Sequence, residues 1–208
     1  MLSIEANKII PLYSDVITRF QAISSRYRVN YDLNIFYQQD YLGKFFTWQK
    51  ECIVQARPSL EMKFVTYSEL PEKIREYYNY TYFVIFSTSM GKQVDELINQ
   101  YAQKGEMFKS YFIDSWFSEC VEVVNNKVDN QINKDLDRSS RFSPGYGSID
   151  ITVNYQLFNL LKLSNIDVNP DTGILLPRKS TICLIGFNNH NTFNERWYIY
   201  ENLQNIFK

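Results

Sequence analysis

This sequence is poor in the side chains that most often move protons or hold metals. It has one histidine, His190, and three cysteines, Cys52, Cys120 and Cys183, spread over 208 residues. One imidazole and three scattered thiols form no recognisable metal spacing, which argues against a structural zinc site. An odd, dispersed set of cysteines is no disulfide framework and reads as reduced, buried thiols of a cytosolic protein. No apolar run approaches the length of a membrane span; Tyr82 to Phe86 is among the longest. The start, Met1-Leu2-Ser3-Ile4-Glu5, lacks the basic opening and apolar stretch of a secretion signal. Charge of one sign is lacking as well: 22 Lys and Arg stand against 23 Asp and Glu, so nothing marks an electrostatic footprint for nucleic acid. The expectation is a cytoplasmic protein with neither nucleic acid nor membrane as a partner.

Aromatic residues are abundant, with 16 Tyr and 15 Phe. They serve a core, half-buried strands or a surface of planar contacts. A chain of this length can bury a proper core. Residues 4 to 27 read as an amphipathic helix with Ile9, Leu12, Val16, Phe20 and Ile23 at helical spacing. A second helix is predicted from about Gln39 to Ala56, stopping before Pro58. Glu61 to Tyr67 and Tyr80 to Thr88 read as strands, the latter buried because its apolar residues are continuous. Gly91 ends that strand and Lys92 to Gln103 reads as a helix.

The plainest helix signal runs from about Met107 to Ile132. Phe108, Phe112, Trp116, Cys120, Val124, Val128 and Ile132 recur every four residues, with Ile113, Phe117 and Val121 beside them. Asp114, Ser118 and Glu122 form a polar row largely opposite that stripe. A loop spans 133 to 151, and Thr152 to Leu163 reads as a helix that Asp150 or Thr152 caps. Gly173–Leu176, Ser180–Phe187 and Trp197–Tyr200 carry strand signals, with a polar hairpin connection from Asn188 to Glu195. Helices come early and strands late, so the fold class is α+β with a mainly antiparallel sheet and long helices packed on it.

One loop carries chemistry: Arg141-Phe142-Ser143-Pro144-Gly145-Tyr146-Gly147. A guanidinium forks two donors toward a carboxylate. Pro-Gly sets a tight turn and lets backbone approach a ligand. A tyrosine face attracts a cation, by about 0.5–2 kcal/mol. Together they suit a small ligand with a carboxylate and a positive centre. The alternative is an ordinary turn with a surface arginine and a packed tyrosine.

The loop resembles the Arg-x-x-Pro-Gly-Tyr motif of the S-adenosylmethionine-binding activation domain of cobalamin-dependent methionine synthase and its small free-standing relatives. Other pieces fall in the same order. Phe86-Ser87-Thr88-Ser89-Met90-Gly91 resembles the strand followed by Thr-x-Gly, and Asp114, Ser118 and Glu122 resemble an Asp…Ser…Glu pattern on the long helix. Phe158-Asn159-Leu160-Leu161 and Pro177-Arg178-Lys179-Ser180 resemble the later helix and the Pro-x-Lys-Ser strand start. The likeness covers roughly residues 40 to 187. It implies residues 31–208 as a single domain of this kind, with 1–30 as an N-terminal helical extension. There are departures: Pro170-Asp171-Thr172 stands where Thr-Glu-Ser is usual, and Asn154 where a Gln is usual.

The resemblance implies that Arg141, Ser143, Pro144, Gly145, Tyr146, Glu122, Asp114 and Asp171 bind S-adenosylmethionine. It implies no catalytic residue of the chain's own. Cobalamin enters only through a partner, because the Asp-x-His-x-x-Gly motif that holds it is missing here. The implied partners are a cobalamin-binding methionine synthase or corrinoid protein and a flavodoxin-like electron donor. The rival reading is a non-catalytic docking or metabolite-sensing module that keeps the fold. A dinucleotide-type methyltransferase fits poorly, since no Gly-x-Gly-x-x-Gly follows a first strand.

Overall fold

The strand Tyr82–Ser89 opens with five apolar residues without alternation because both of its faces are covered. Val84 and Phe86 point into one hydrophobic cluster, Phe83 and Ile85 into another. Side chains alternate across a strand, so a run of apolar residues serves two cores at once. The computed structural model describes residues 1–27, 29, 31–132 and 137–208. Within the expected N-terminal extension, residues 28 and 30 lie outside the described residues, as do 133–136 of the expected loop.

In chain order the elements are β1 (Leu2–Ser3), α1 (Tyr13–Arg26), α2 (Gln39–Gln55), β2 (Ser59–Thr66), α3 (Glu72–Arg75), β3 (Tyr82–Ser89), α4 (Lys92–Gln103) and α5 (Met107–Ile132). Then come α6 (Val153–Leu161), β4 (Asp167–Val168), β5 (Leu175–Leu176), β6 (Ser180–Phe187), α7 (His190–Asn194) and α8 (Arg196–Phe207). The main sheet has order β1-β2-β3-β6 and every pairing in it is antiparallel. β4 and β5 form a separate small antiparallel pair. This is the α+β architecture expected from the sequence.

The larger core lies between the sheet and α1, α2, α4, α5 and α8. Its centre is α5, where Phe112, Trp116, Phe117, Cys120, Val124, Val128 and Ile132 are buried. Truncating one of those aromatics to alanine costs about 3–5 kcal/mol. Phe20, Phe36, Phe45 and Phe108 stack around one another beside it, which places much of the aromatic surplus in the interior. The smaller core, on the opposite face of the sheet, joins Val153 and Leu157 of α6 to Ile182 and Leu184 of β6.

Several boundaries differ from the sequence reading. The N-terminal helix begins at Tyr13, after a short 3-10 turn over Ala6–Ile9. Pro11 separates the two, since proline fits the first turn of a helix and not its interior. Leu2–Ser3 pairs with β2, and Val16, Ile17 and Phe20 enter the main core. Trp197–Tyr200 is not a strand. It opens α8, because Ile199, Leu203 and Phe207 repeat every four residues and all three are buried. The aromatic, β-branched composition of that stretch had hidden the longer helical period. The expected hairpin connection holds α7, started by Asn189, whose side chain accepts from the Asn191 amide. No described helix is long and apolar enough to cross a membrane.

Candidate functional site

The polar row of α5 does not face open water. Asp114 Oδ1 lies 2.7 Å from the Lys179 ammonium, which also donates to Ser118 Oγ at 2.8 Å. Two turns further along, Glu122 Oε2 accepts from Arg141 Nη2 at 2.6 Å, and Asn126 Oδ1 accepts from Arg141 Nη1 at 3.0 Å. The row therefore meets one cation from the lead-in to β6 and one from the Pro-Gly loop. Burial pulls the Lys179 ammonium below its usual range, and the Asp114 carboxylate opposes that pull. Asn126 continues the four-residue spacing but, carrying no charge, has no signal in the sequence.

The loop itself follows from its residues. Pro144 precedes Gly145 at φ +92°, and the Tyr146 amide donates to the Ser143 carbonyl at 3.3 Å, as in a type II turn. The Gly145 amide donates to the Ile149 carbonyl at 2.9 Å and closes the loop. Asp150 Oδ1 accepts from the Thr152 amide at 2.8 Å in the turn ahead of α6, while Thr152, the N-cap residue itself, makes no side-chain capping bond, so neither caps the helix as expected. At the loop's base, the Phe142 amide and carbonyl both pair with Leu184 of β6. Ser143 Oγ lies 3.1 Å from Cys183 Sγ, and burial pushes that thiol up.

Tyr146 is left 75% exposed at the rim of a groove of about 240 Å³. Ser143, Pro144, Tyr146 and Ile151 form one side; Ile174, Leu175 and Arg178 contribute others. Arg178 donates to Asn99 Oδ1 at 2.9 Å and sits 3.4 Å from Asp95 of α4. The groove thus has apolar walls, one exposed ring and an arginine with half of its side chain in water.

Of the residues singled out from the sequence, Ser143, Pro144 and Tyr146 line the groove and Gly145 shapes its turn. Arg141 and Glu122 pair behind Ser143, and Asp114 pairs with Lys179. Asp171 stands apart: it is exposed at the tip between β4 and β5, its amide donating to Asn169 Oδ1 at 3.0 Å. It is not among the groove residues. His190 is the first residue of α7 and shares a 2.6 Å hydrogen bond with the Tyr82 hydroxyl. The wall residues Ile151, Ile174 and Leu175 carry no sequence signal of a site, only the strand signal of Gly173–Leu176 for the last two.

The hydroxyl of the polar row is not set up as a nucleophile. Ser118 Oγ donates to the Asp114 carbonyl at 3.0 Å while accepting from Lys179, so no base draws its proton. Among the described residues no three His, Cys, Asp or Glu side chains gather as a metal site.

The chain is thus an α+β protein with a four-stranded antiparallel sheet, long helices and a part-apolar groove beside a Pro-Gly turn. Its fold is that of the MetH reactivation domain, solved bound to AdoHcy: the TM-score is 0.58 over 99% of this chain and 86% of that one, at 8% sequence identity. No protein-family model and no curated protein matches the sequence.

Proposed function

We propose that this chain binds S-adenosylmethionine in the groove beside Tyr146. It would thereby support reductive methylation of a corrinoid carried by a separate methionine synthase or corrinoid protein. One coincidence carries the reading. The Arg141-to-Tyr146 loop, picked out by its chemistry, borders a groove of about 240 Å³ in a fold like that of a domain solved with AdoHcy. AdoHcy is S-adenosylmethionine without its transferable methyl group.

In this reading the ring face of Tyr146 meets the ligand's sulfonium, a contact of about 0.5–2 kcal/mol. Arg141 exchanges Glu122 for the ligand's carboxylate, and Glu122 turns to the ligand's ammonium. The sequence lacks the Asp-x-His-x-x-Gly motif that would hold a corrinoid of its own, and its single imidazole, His190, bonds Tyr82. The partner's corrinoid, once reduced, would supply the nucleophile that takes the methyl group and leaves AdoHcy. This chain holds the methyl donor in place and keeps water from it. A flavodoxin-like donor of the electron belongs to the same proposal.

The pairing of Arg141 with Glu122 and of Lys179 with Asp114 favours a second reading, a docking or sensing module. The charges of the site already neutralise each other without a ligand. Calorimetric titration with S-adenosylmethionine separates the two. Saturable binding by the wild type, lost in Arg141→Ala, supports the first. Partner capture that neither ligand nor Arg141→Ala alters supports the second.

A further inference from the structure

Asn154, in the first turn of α6, lines the groove and is only 3% exposed. Its Nδ2 donates to the Gly173 carbonyl at 3.0 Å. That carbonyl only accepts, so the amide cannot be turned over without setting oxygen against oxygen. The orientation leaves Asn154 Oδ1 with no hydrogen-bond partner. A buried amide oxygen without a donor is uncommon and calls for one. The groove's serine and threonine hydroxyls are already engaged: Ser143 Oγ with Cys183 Sγ at 3.1 Å, Ser180 Oγ donating to Ser89 Oγ at 3.0 Å, and Thr181 Oγ1 accepting from Asn125 Nδ2 at 3.2 Å.

We infer that Asn154 is a specificity residue, whose Oδ1 receives an N–H from the planar end of the groove's ligand. This rests on the reading of the groove as the S-adenosylmethionine site and extends it. With the sulfonium at Tyr146 on the rim, the ligand's purine then lies against the Ile151, Ile174 and Ile182 side chains, with its exocyclic amino group toward Asn154. Ile151 is 40% exposed and Ile174 51% exposed, so both are free to give way as the ring seats against the wall. A 6-keto purine sets a second acceptor against Oδ1 and is rejected. Sites that hydrogen-bond a donor discriminate strongly against analogues lacking it, because the buried acceptor is left unpaired.

The test compares AdoHcy with S-inosylhomocysteine, its 6-keto analogue, by calorimetry on the whole chain. The wild type is expected to bind AdoHcy about 10- to 100-fold more tightly. In Asn154→Leu the ratio should fall toward unity. Asn154→Ser is measured beside it in case the leucine variant does not fold. Equal affinity of the wild type for both ligands, or a ratio that survives both substitutions, overturns the inference and leaves the groove reading intact. Binding of neither ligand by the wild type removes the groove reading, and this inference with it.

Discussion

Arg141 reaches from the Pro-Gly loop to Glu122 on the long helix, Nη2 to Oε2 at 2.6 Å, and so ties the groove's turn to the centre of the fold. Both side chains keep partial contact with water. Such pairs contribute about 0–1 kcal/mol to stability. Arg141→Ala should therefore lower the midpoint of thermal unfolding only slightly. Its effect on S-adenosylmethionine affinity should be far larger, about 10- to 100-fold, because a charge-assisted contact to the carboxylate is lost. Arg141→Lys keeps the charge but not the fork, and should recover only part of that affinity. Thermal melts and calorimetry on the same samples check both halves. A variant that unfolds early and binds weakly in proportion would mean that Arg141 is structural.

The pair of Lys179 and Asp114 is the more enclosed one, and its energetics should differ. Lys179 Nζ has both Asp114 Oδ1 and Ser118 Oγ within 2.8 Å. Lys179→Met removes the cation and leaves a largely buried carboxylate, which should cost about 2–4 kcal/mol. Adding Asp114→Leu removes the stranded charge, so the double variant should be the more stable of the two. Urea unfolding midpoints give the comparison. A double variant that simply sums two independent losses would show that the pair is not coupled.

Glycine matters most at Gly173. Its φ is +69°, and an added Cβ would lie 2.2 Å from the Ile151 carbonyl oxygen. At Gly145, with φ +92°, an added Cβ would meet the Ile151 side chain at 3.3 Å. Backbone cannot yield as a side chain can. Gly173→Ala should thus destabilise by about 3 kcal/mol or more, Gly145→Ala by about 1–2 kcal/mol. If denaturant midpoints reverse that order, the packing of the β4–β5 hairpin on the start of α6 is not as described.

The fold was legible wherever one period ran long enough. The four-residue spacing from Phe108 to Ile132 gave α5 its bounds, and the unbroken Tyr82-to-Phe86 run announced a strand covered on both faces. It failed where local composition and the longer period disagreed. Trp197 to Tyr200 reads as a strand until Leu203 and Phe207 are counted with Ile199. The site was half legible. Arg141, Pro144, Gly145 and Tyr146 announce themselves as a cation, a turn and a ring. The pairing does not: Glu122 stands out only as part of its row and Asn126 not at all, since they are 19 and 15 residues from Arg141 and only the crossing of loop and helix brings them near. Asn154 shows in the sequence only as a departure from the usual Gln; what its amide offers depends on Gly173, which fixes the way it points.

The buried thiols set a last prediction, on alkaline stability. Burial raises the pKa of Cys52, Cys120 and Cys183 above the ordinary thiol value of 9.0. In the folded protein these thiols stay protonated; in the unfolded chain they ionise near that value. Above it the unfolded state holds fewer protons than the folded one, so stability falls as pH rises. For Cys52 and Cys120, which burial raises furthest, the loss should be about 1 kcal/mol each between pH 9 and pH 10, and Cys183 adds in the same direction. Lys179 works in the opposite direction, since its lowered pKa makes the unfolded state the one that holds more protons on that group. Three thiols against one ammonium leave a net decline. Cys52→Ala should lower stability at neutral pH through its cavity while flattening the alkaline slope by about one thiol's share. Urea titrations at pH 7.5, 9 and 10, on wild type and variant, measure both. An unchanged slope in the variant would mean that Cys52 ionises as readily in the folded protein as in the unfolded chain, and is not sealed between α2 and α5.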